Sequence, residues 1–565
     1  MPARNKLDLV LVWHMHQPDY RDHASGEFRQ PWVYLHAIKD YCDMASHLER
    51  HPGVRAVVNF VPVLLDQIED YVRQFATGEL RDPLLRMLVH PNLNELRAGE
   101  RHLLREWCFR SNHVTMVTPF PRYRRLHELY RSLEGGGEAA LDFLSGAFYA
   151  DLVTWYHLSW IGETERRIRP LAAELLAKGE GFTHADRMHL FDALGQIVSG
   201  LLPRYRALAA AGRIELSATP YAHPIAPLLL DLKCAREAMP EAPLPDAMSY
   251  PGGRARVFTH IDQAAASHEH RFGARCEGMW PAEGAVSTAF LQLLAGRGLR
   301  WAASSESVLA NSLRRAGGGS LPERSHYLYR GYRIEAAPGL AVFFRDEKLS
   351  DLIGFEYARW HGRDAANHFV GELDAIRSRA PAGATPLVSV ILDGENAWEH
   401  YPYNGYYFFE DLYSSLEAHA FIRSTTFGRY LADTPNLASL PAVVAGSWVY
   451  GTLSTWIGSP DKNRAWDLLC AAKQSYDLVI DSGRLDEQEK AAAEAQLMVC
   501  EGSDWFWWCG DYNPRAVVRS FDELYRGNLA GLYARLKLPP PVELASPLSQ
   551  GNAESESVGT MRRAG

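Results

Sequence analysis

The sequence predicts a β/α barrel followed by an α-helical C-terminal domain, and three observations carry that prediction. Strand-like apolar runs alternate with long helical stretches through residues 7–393: LDLVLVW (7–13), RAVVNFV (55–61), RIELSAT (213–219), LRWAAS (299–304), LAVFFRD (340–346) and TPLVSVILD (385–393). Such alternation belongs to parallel strands joined by helical crossovers. Several of these runs end in polar or aromatic clusters, as strands do at the C-terminal face of a β/α barrel. Beyond residue 405 strand signals nearly vanish and helical patterns take over. The division read from this is 1–405 for the barrel with its helical insertions, for example 139–178 and 184–211, and 406–544 for the helical domain. The last segment, 545–565, is rich in Ser, Gly and Glu without periodicity and predicts a disordered tail.

Composition narrows the class. The chain has 565 residues, 47% hydrophobic and 22% charged, and a formal net charge of −9, which suits a globular protein of more than one domain. It has no block of Lys and Arg, so nucleic acid is not a predicted partner. The seven cysteines are odd in number and scattered, with no CxxC pair, which argues against a disulfide framework or a thiolate metal site. The opening MPARNKLDLVLVWHMHQ runs from a short apolar stretch straight into histidines. It reads as a first strand, not a signal peptide, and no apolar run approaches the roughly 18 residues that cross a bilayer. A cytoplasmic protein without membrane partners is predicted; oligomeric state has no signal.

Five segments carry chemistry. In WHMHQPDY (13–20), His14 and His16 share one face of the first strand because side chains alternate with period two, and Gln17 follows before Pro18 stops the strand. These imidazoles are read as donors to substrate hydroxyls or as a pair of metal ligands. In GRIELSATPYAHPIAPLL (212–229), a strand end is followed by Tyr221 and His223 in a Pro-bounded loop. In CEGMWPAEGAVS (276–287), Trp280 and Pro281 precede Glu283, Gly284 allows a tight turn, and Ser287 is placed to cap a helix. The flanking residues would hold Glu283 rigidly beside an aromatic plane, as a preorganised carboxylate is held. In ILDGENAWEHYPYNG (391–405), a buried strand delivers Asp393, Glu395, Asn396, Trp398 and Glu399 within seven positions. In EGSDWFWWCGDY (501–512), Asp504 is followed by Trp505, Phe506, Trp507 and Trp508, too many rings for one helical face to bury. Trp448 stands in another such cluster. Flat rings among acids suit carbohydrate, and glycosidic bonds are cleaved by paired carboxylates. Glu283 and Asp393 sit at separate strand ends that a barrel can set face to face.

Here the sequence resembles a known family. HQP, TPYAHPI, GMWPAEGAVS, DGENAWE and EGSDWFWW occur in the order of the regions shared by glycoside hydrolase family 57, and the likeness runs from His16 to about Leu536. The WPAEG form is most similar to its amylopullulanase and α-amylase-type members. The resemblance implies an incomplete (β/α)7 barrel, a helical domain closing the cleft, and an α-glucan as the polysaccharide or oligosaccharide partner. It makes Glu283 the nucleophile and Asp393 the general acid/base, and sets His16 and His223 around the cleaved sugar. Glu395, two residues on, is the rival to Asp393; a turn at Gly394 favours Asp393. His14, Gln17, Trp280, Glu395, Trp398, Trp448, Asp504 and Trp505 complete the predicted substrate-binding set, with no cofactor and no metal. Three alternatives stay open: a 4-α-glucanotransferase using the same carboxylates, a metal-dependent polysaccharide deacetylase, and a non-catalytic glycogen-binding scaffold.

Overall fold

A computed structural model describes residues 5–552. Ten strands form one sheet: β1 Leu7–Met15, β2 Ala56–Phe60, β3 Ile214–Ala218, β4 Gly278–Met279, β5 Trp301–Ser305, β6 Tyr332–Ile334, β7 Ala341–Arg345, β8 Leu387–Asp393, β9 Ile422–Thr425 and β10 Ala438–Leu440. Their order is β10-β6-β7-β5-β4-β3-β2-β1-β8, with β9 beside β1. Every pairing is parallel except β6 with β7. Seven parallel strands, β8-β1-β2-β3-β4-β5-β7, curl into a barrel. No ladder joins its two ends, β7 and β8. They meet through the Asp346 N–H donating to Ser389 O at 2.7 Å and the Arg345 Nε–H donating to Ile391 O at 2.8 Å.

Strand alternation sorts the side chains. Leu7, Leu9, Leu11, Trp13 and Met15 of β1 join the large core beneath the surrounding helices. Val10 and Val12 face inward, where Val57, Trp301, Ala303, Phe343 and Ile391 meet them. Phe427 plugs the interior from the helix Phe427–Asp433, its ring stacked on Phe343 at 4.2 Å. One register step above this apolar layer the inward positions turn polar. His14 pairs in register with Asn59 on one side and with Asp393 on the other. Parallel pairing in register thus turns Val12–His14, Val57–Asn59 and Ile391–Asp393 into two layers, a dry plug and a polar floor.

The six longer predicted strands are all present. Those the sequence reading lacked are two to four residues long, too short for alternation to register. Two of them move a predicted boundary: β9 and β10 lie beyond residue 405 yet belong to the barrel sheet. The helical stretch 139–178 is cut into the helices Gly137–Leu141, Gly146–Trp160, Glu163–Ile168 and Pro170–Lys178. Ser145 caps the second, its side chain accepting from Phe148 N–H, and Pro170 opens the last. The tail also differs in part from expectation. The Leu548 and Ser549 N–H groups donate to Asp522 Oδ1, and Leu548 is buried; residues 553–565 lie outside the described residues. All seven cysteines are unpaired and buried. No helix among the described residues is long and apolar enough to cross a membrane.

The helices Pro460–Asp481, Glu487–Cys500, Asp504–Trp508 and Arg515–Arg535 build the region over the barrel mouth. A buried carboxylate ties it down. Glu501 accepts from Arg256 Nε and Nη2, both at 2.9 Å, and from the Tyr250 hydroxyl at 2.6 Å; its other contact is His260 Nε2 at 2.7 Å. Burial opposes ionisation, but the Arg256 charge and the His260 bond outweigh it and hold this carboxyl far below the usual range. Glu501→Ala would leave a guanidinium buried without its partner. That change should cost about 3–5 kcal/mol in denaturant unfolding; a loss below about 1 kcal/mol, the worth of an exposed pair, would contradict the role.

Candidate active site

The sheet's polar floor and the helical region line a single cleft. Glu283 enters it from the loop after β4, in a left-handed conformation with φ 58°, which non-glycine residues adopt where the surroundings hold them. Gly284 follows at φ 59°, and a Cβ there would come within 2.8 Å of Trp280 Cη2. Segment 446–449 clamps this turn. Gly446 and Val286 exchange backbone bonds, the Trp448 N–H donates to Glu283 O at 3.0 Å, and the Trp448 indole N–H donates to Glu283 Oε2 at 2.9 Å. Ser503, from the helical region, donates to Glu283 Oε1 at 3.4 Å. Burial and the neighbouring Asp504 and Asp393 push the Glu283 carboxyl well up, against the Trp448 and Ser503 bonds that favour its charge.

Asp393 ends β8 and receives one side-chain bond, from Asn396 Nδ2 at 2.8 Å. Burial raises its carboxyl to about 6, with Asn396, His16 and Arg345 pulling the other way. Glu395 also borders the cleft but turns back toward β1. Its Oε1 accepts from the His16 N–H at 3.4 Å and Gln17 Nε2 at 3.3 Å, and its Oε2 has no partner. The turn that parts the two acids needs glycine, since a Cβ on Gly394 would lie 2.0 Å from Met15 Sδ.

The three histidines form a stack. His16 lies on His223 with centroids 3.7 Å apart, and His14 lies 5.2 Å from His223. His14 Nδ1 sits 2.7 Å from Asn59 Oδ1 and so carries a proton. Burial and the facing imidazole of His16 lower its pKa to about 3, so the ring is neutral, and burial, His16 and His14 hold His223 well below the usual imidazole range. His223 holds φ 60°, and its carbonyl accepts from the Ser503 N–H at 2.9 Å. His16 Nε2 meets both oxygens of Asp504 at 3.1 and 3.0 Å. His16, His223 and Asp504 are close enough together to share a cation. Yet the imidazole planes are within 17° of parallel, so in-plane lone pairs run side by side instead of converging as tetrahedral zinc requires. The set fits hydrogen bonding to hydroxyls better than metal.

Of the predicted site residues, His14, His16, Gln17, His223, Glu283, Asp393, Glu395, Trp448 and Asp504 border this one cleft. Three indoles do not. Trp280 is fully buried behind the Glu283 turn, edge-on to Trp448 at 5.2 Å. Trp398 lies under the Asp393 turn, where its N–H donates to Gly394 O at 2.8 Å and its ring packs on Trp13. Trp505 points into the helical core, donating to Val499 O at 2.7 Å and stacking on Tyr525. Helical spacing explains the last: Asp504, Trp507 and Trp508 share the cleft face at i, i+3 and i+4, and position i+1 faces away. The cleft also takes Tyr20, Arg345, Phe355, Asn396 and Val449. The signal for Arg345 was available, since it too stands at a strand end.

A carboxylate pair set in a β/α barrel under aromatic cover defines a glycosidase-like site. The chain belongs to glycosyl hydrolase family 57, whose model matches residues 10–436. Among solved structures it is similar to a branching enzyme of that family from the hyperthermophilic archaeon Thermococcus kodakaraensis, at 15% identity and a TM-score of 0.56, covering 97% of this chain and 98% of that one. It is similar to an α-amylase from Thermotoga maritima, at 11% identity and 0.55, covering 94% of each. A 4-α-glucanotransferase from Thermococcus litoralis matches at 13% identity and 0.51, over 94% of this chain and 60% of that one. No curated protein matches by sequence. At these identities the structural likenesses speak for the fold.

Asp393 gives a stability test. Its pKa is raised from 3.8 to about 6, so its contribution to stability is complete below pH 4 and is lost as pH rises through 6. Asp393→Asn should therefore be more stable than wild type at pH 8 by about 1–3 kcal/mol, with the gap closing at pH 4. Denaturant unfolding at the two pH values measures it, and a gap independent of pH would contradict the burial account.

Proposed function

We propose that the protein is a retaining glycoside hydrolase acting on α-glucans by double displacement. The observation that carries this is the unequal setting of two carboxylates facing one cleft. Glu283 is held by two donors to its carboxyl oxygens, from Trp448 and Ser503, whereas Asp393 receives one, from Asn396; burial raises the pKa of both. In this reading the Asp393 O–H protonates the glycosidic oxygen, the C1–O bond breaks, and the Glu283 carboxylate bonds to C1. Asp393, now a carboxylate, takes a proton from water as the water oxygen attacks C1 and releases Glu283. His14, His16 and His223 present imidazole edges to sugar hydroxyls, and Trp448, Trp507 and Trp508 offer flat faces to pyranose rings.

Support for an α-glucan comes from family membership and from similar structures named as a branching enzyme, an α-amylase and a 4-α-glucanotransferase. Transfer is the second reading. It uses the same carboxylates, and the indoles of the helical cover offer a surface on which an incoming sugar could replace water. Incubation with amylose, pullulan, glycogen and maltooligosaccharides, with products resolved by size, decides between them. Shorter products indicate hydrolysis, longer ones transfer, and no turnover of any of the four overturns the proposal. Retention of activity in a chelator is expected, and its loss would favour the metal-dependent reading.

Variants test the roles separately. Glu283→Ala should lose at least about a thousand-fold in kcat, and azide should restore part of it by attacking the open anomeric face. Asp393→Ala should spare substrates with good leaving groups, which need little protonation. In wild type, kcat/KM should fall as pH rises through about 6, where Asp393 loses its proton. Near-normal turnover by Glu283→Ala would rule out its assignment.

A further inference from the structure

The barrel is open between β7 and β8, where no ladder joins the two strands, and an open strand edge leaves backbone groups to be satisfied by other means. Side chains take that part here. The Ile391 N–H donates to Ser350 Oγ at 3.4 Å, and the Ser350 hydroxyl donates in turn to Asp346 O at 2.7 Å. Arg345, the last residue of β7, donates from Nε to Ile391 O at 2.8 Å. Its Nη2 donates at 2.9 Å to Oδ1 of Asp351, at the end of the short helix Glu347–Asp351. With these bonds made, the Arg345 side chain is buried and still borders the cleft.

This guanidinium reaches toward both carboxyls of the proposed reaction. On one side it grips β8 at Ile391, two residues before Asp393 ends that strand. On the other it lies over Trp448, 5.6 Å from the ring centroid, and the indole N–H of Trp448 donates to Glu283 Oε2 at 2.9 Å. A planar fork of donors can bond a carbonyl and a carboxylate while lying over a ring, which a lysine ammonium does not reproduce. The titratable groups facing Asp393 are His16, Tyr41, Glu283, Glu395 and Asp504, and Arg345 adds a permanent cation. Burial raises the Asp393 carboxyl to about 6 against the pull of Asn396, His16 and that cation.

We propose that Arg345 is a positioning residue: by closing the seam with its own guanidinium it sets Asp393 through β8 and Glu283 through Trp448. That these carboxyls cleave a glucan rests on the function proposed above; the seam and its bonds do not. Asp393 needs no direct bond from Arg345, because the strand that carries it is held. Loss of the fork disturbs both acids together, so chemistry suffers more than binding.

Three variants of the full-length chain test this, on maltooligosaccharides and on α-maltosyl fluoride, whose leaving group needs little protonation. Arg345→Met should lower kcat about a hundred-fold with KM within about three-fold of wild type, the signature of lost alignment. The loss should be as large on the fluoride, because Glu283 is disturbed as well as Asp393. The same variant should move the alkaline limb of kcat/KM up by about one pH unit, since the cation that opposes burial at Asp393 is gone. Arg345→Lys should return that limb to about 6 and leave kcat low, because the charge survives and the fork does not. Trp448→Phe removes the indole donor, and combined with Arg345→Met it should cost less than the product of the two single losses. Unchanged denaturant midpoints show that the variants fold, and Arg345→Lys carries the kcat test if Arg345→Met does not. If wild type turns over α-glucans and both Arg345 variants keep kcat within about two-fold, this inference falls and the proposed function stands. Sparing of the fluoride by Arg345→Met would confine Arg345 to Asp393 and overturn its reach to Glu283. If wild type turns over neither substrate, both readings fall.

Discussion

The site depends on holding one buried carboxylate in a left-handed turn. Glu283 at φ 58° and Gly284 at φ 59° would relax if the loop were free. Trp280 fills the space beneath them, and Trp448 grips the turn by backbone and indole alike. Ser503 reaches the same carboxylate from the helical region and binds His223 through its own backbone. The barrel supplies the acid and the helical region supplies much of its support. The buried Glu501 network then has a functional meaning, because it keeps that region seated over the barrel.

Three carboxylates share this small space, and the structure bears the consequence. Glu283 feels Asp504 and Asp393, and both catalytic candidates have raised pKa values. Asp504 is paired with His16, while His14 and His223 stay neutral under burial. A chain selected for stability alone would not gather these groups; such crowding is how acid and base roles are tuned. The polar floor sits directly on an apolar plug, so the floor side chains have little room to shift.

How much of this could be read in the sequence follows from physical scale. The long parallel strands were legible because they are mostly buried on both faces and dominated by apolar residues. The polar strand ends were legible because His14, Asp393 and the Glu283 loop break that apolar pattern abruptly. The short strands β4, β6, β9 and β10 were not, since two to four residues carry no periodicity; hence the barrel ran past its predicted boundary. Aromatic density flagged the Asp504–Trp508 segment but could not say which indole faced sugar. That needed helical phase, which turned Trp505 inward and set Trp507 and Trp508 toward the cleft. Trp280 and Trp398 stood beside the acids in sequence and proved to be supports beneath their turns.

Resolving the anomers at the new reducing end formed from a maltooligosaccharide, by proton NMR within a few turnovers, tests the central claim most directly. The account requires Glu283 to bond to C1 before water does, so the new reducing end must appear as the α anomer and mutarotate afterwards. Initial appearance of the β anomer would mean a single displacement, and would contradict the assignment of Glu283 as nucleophile.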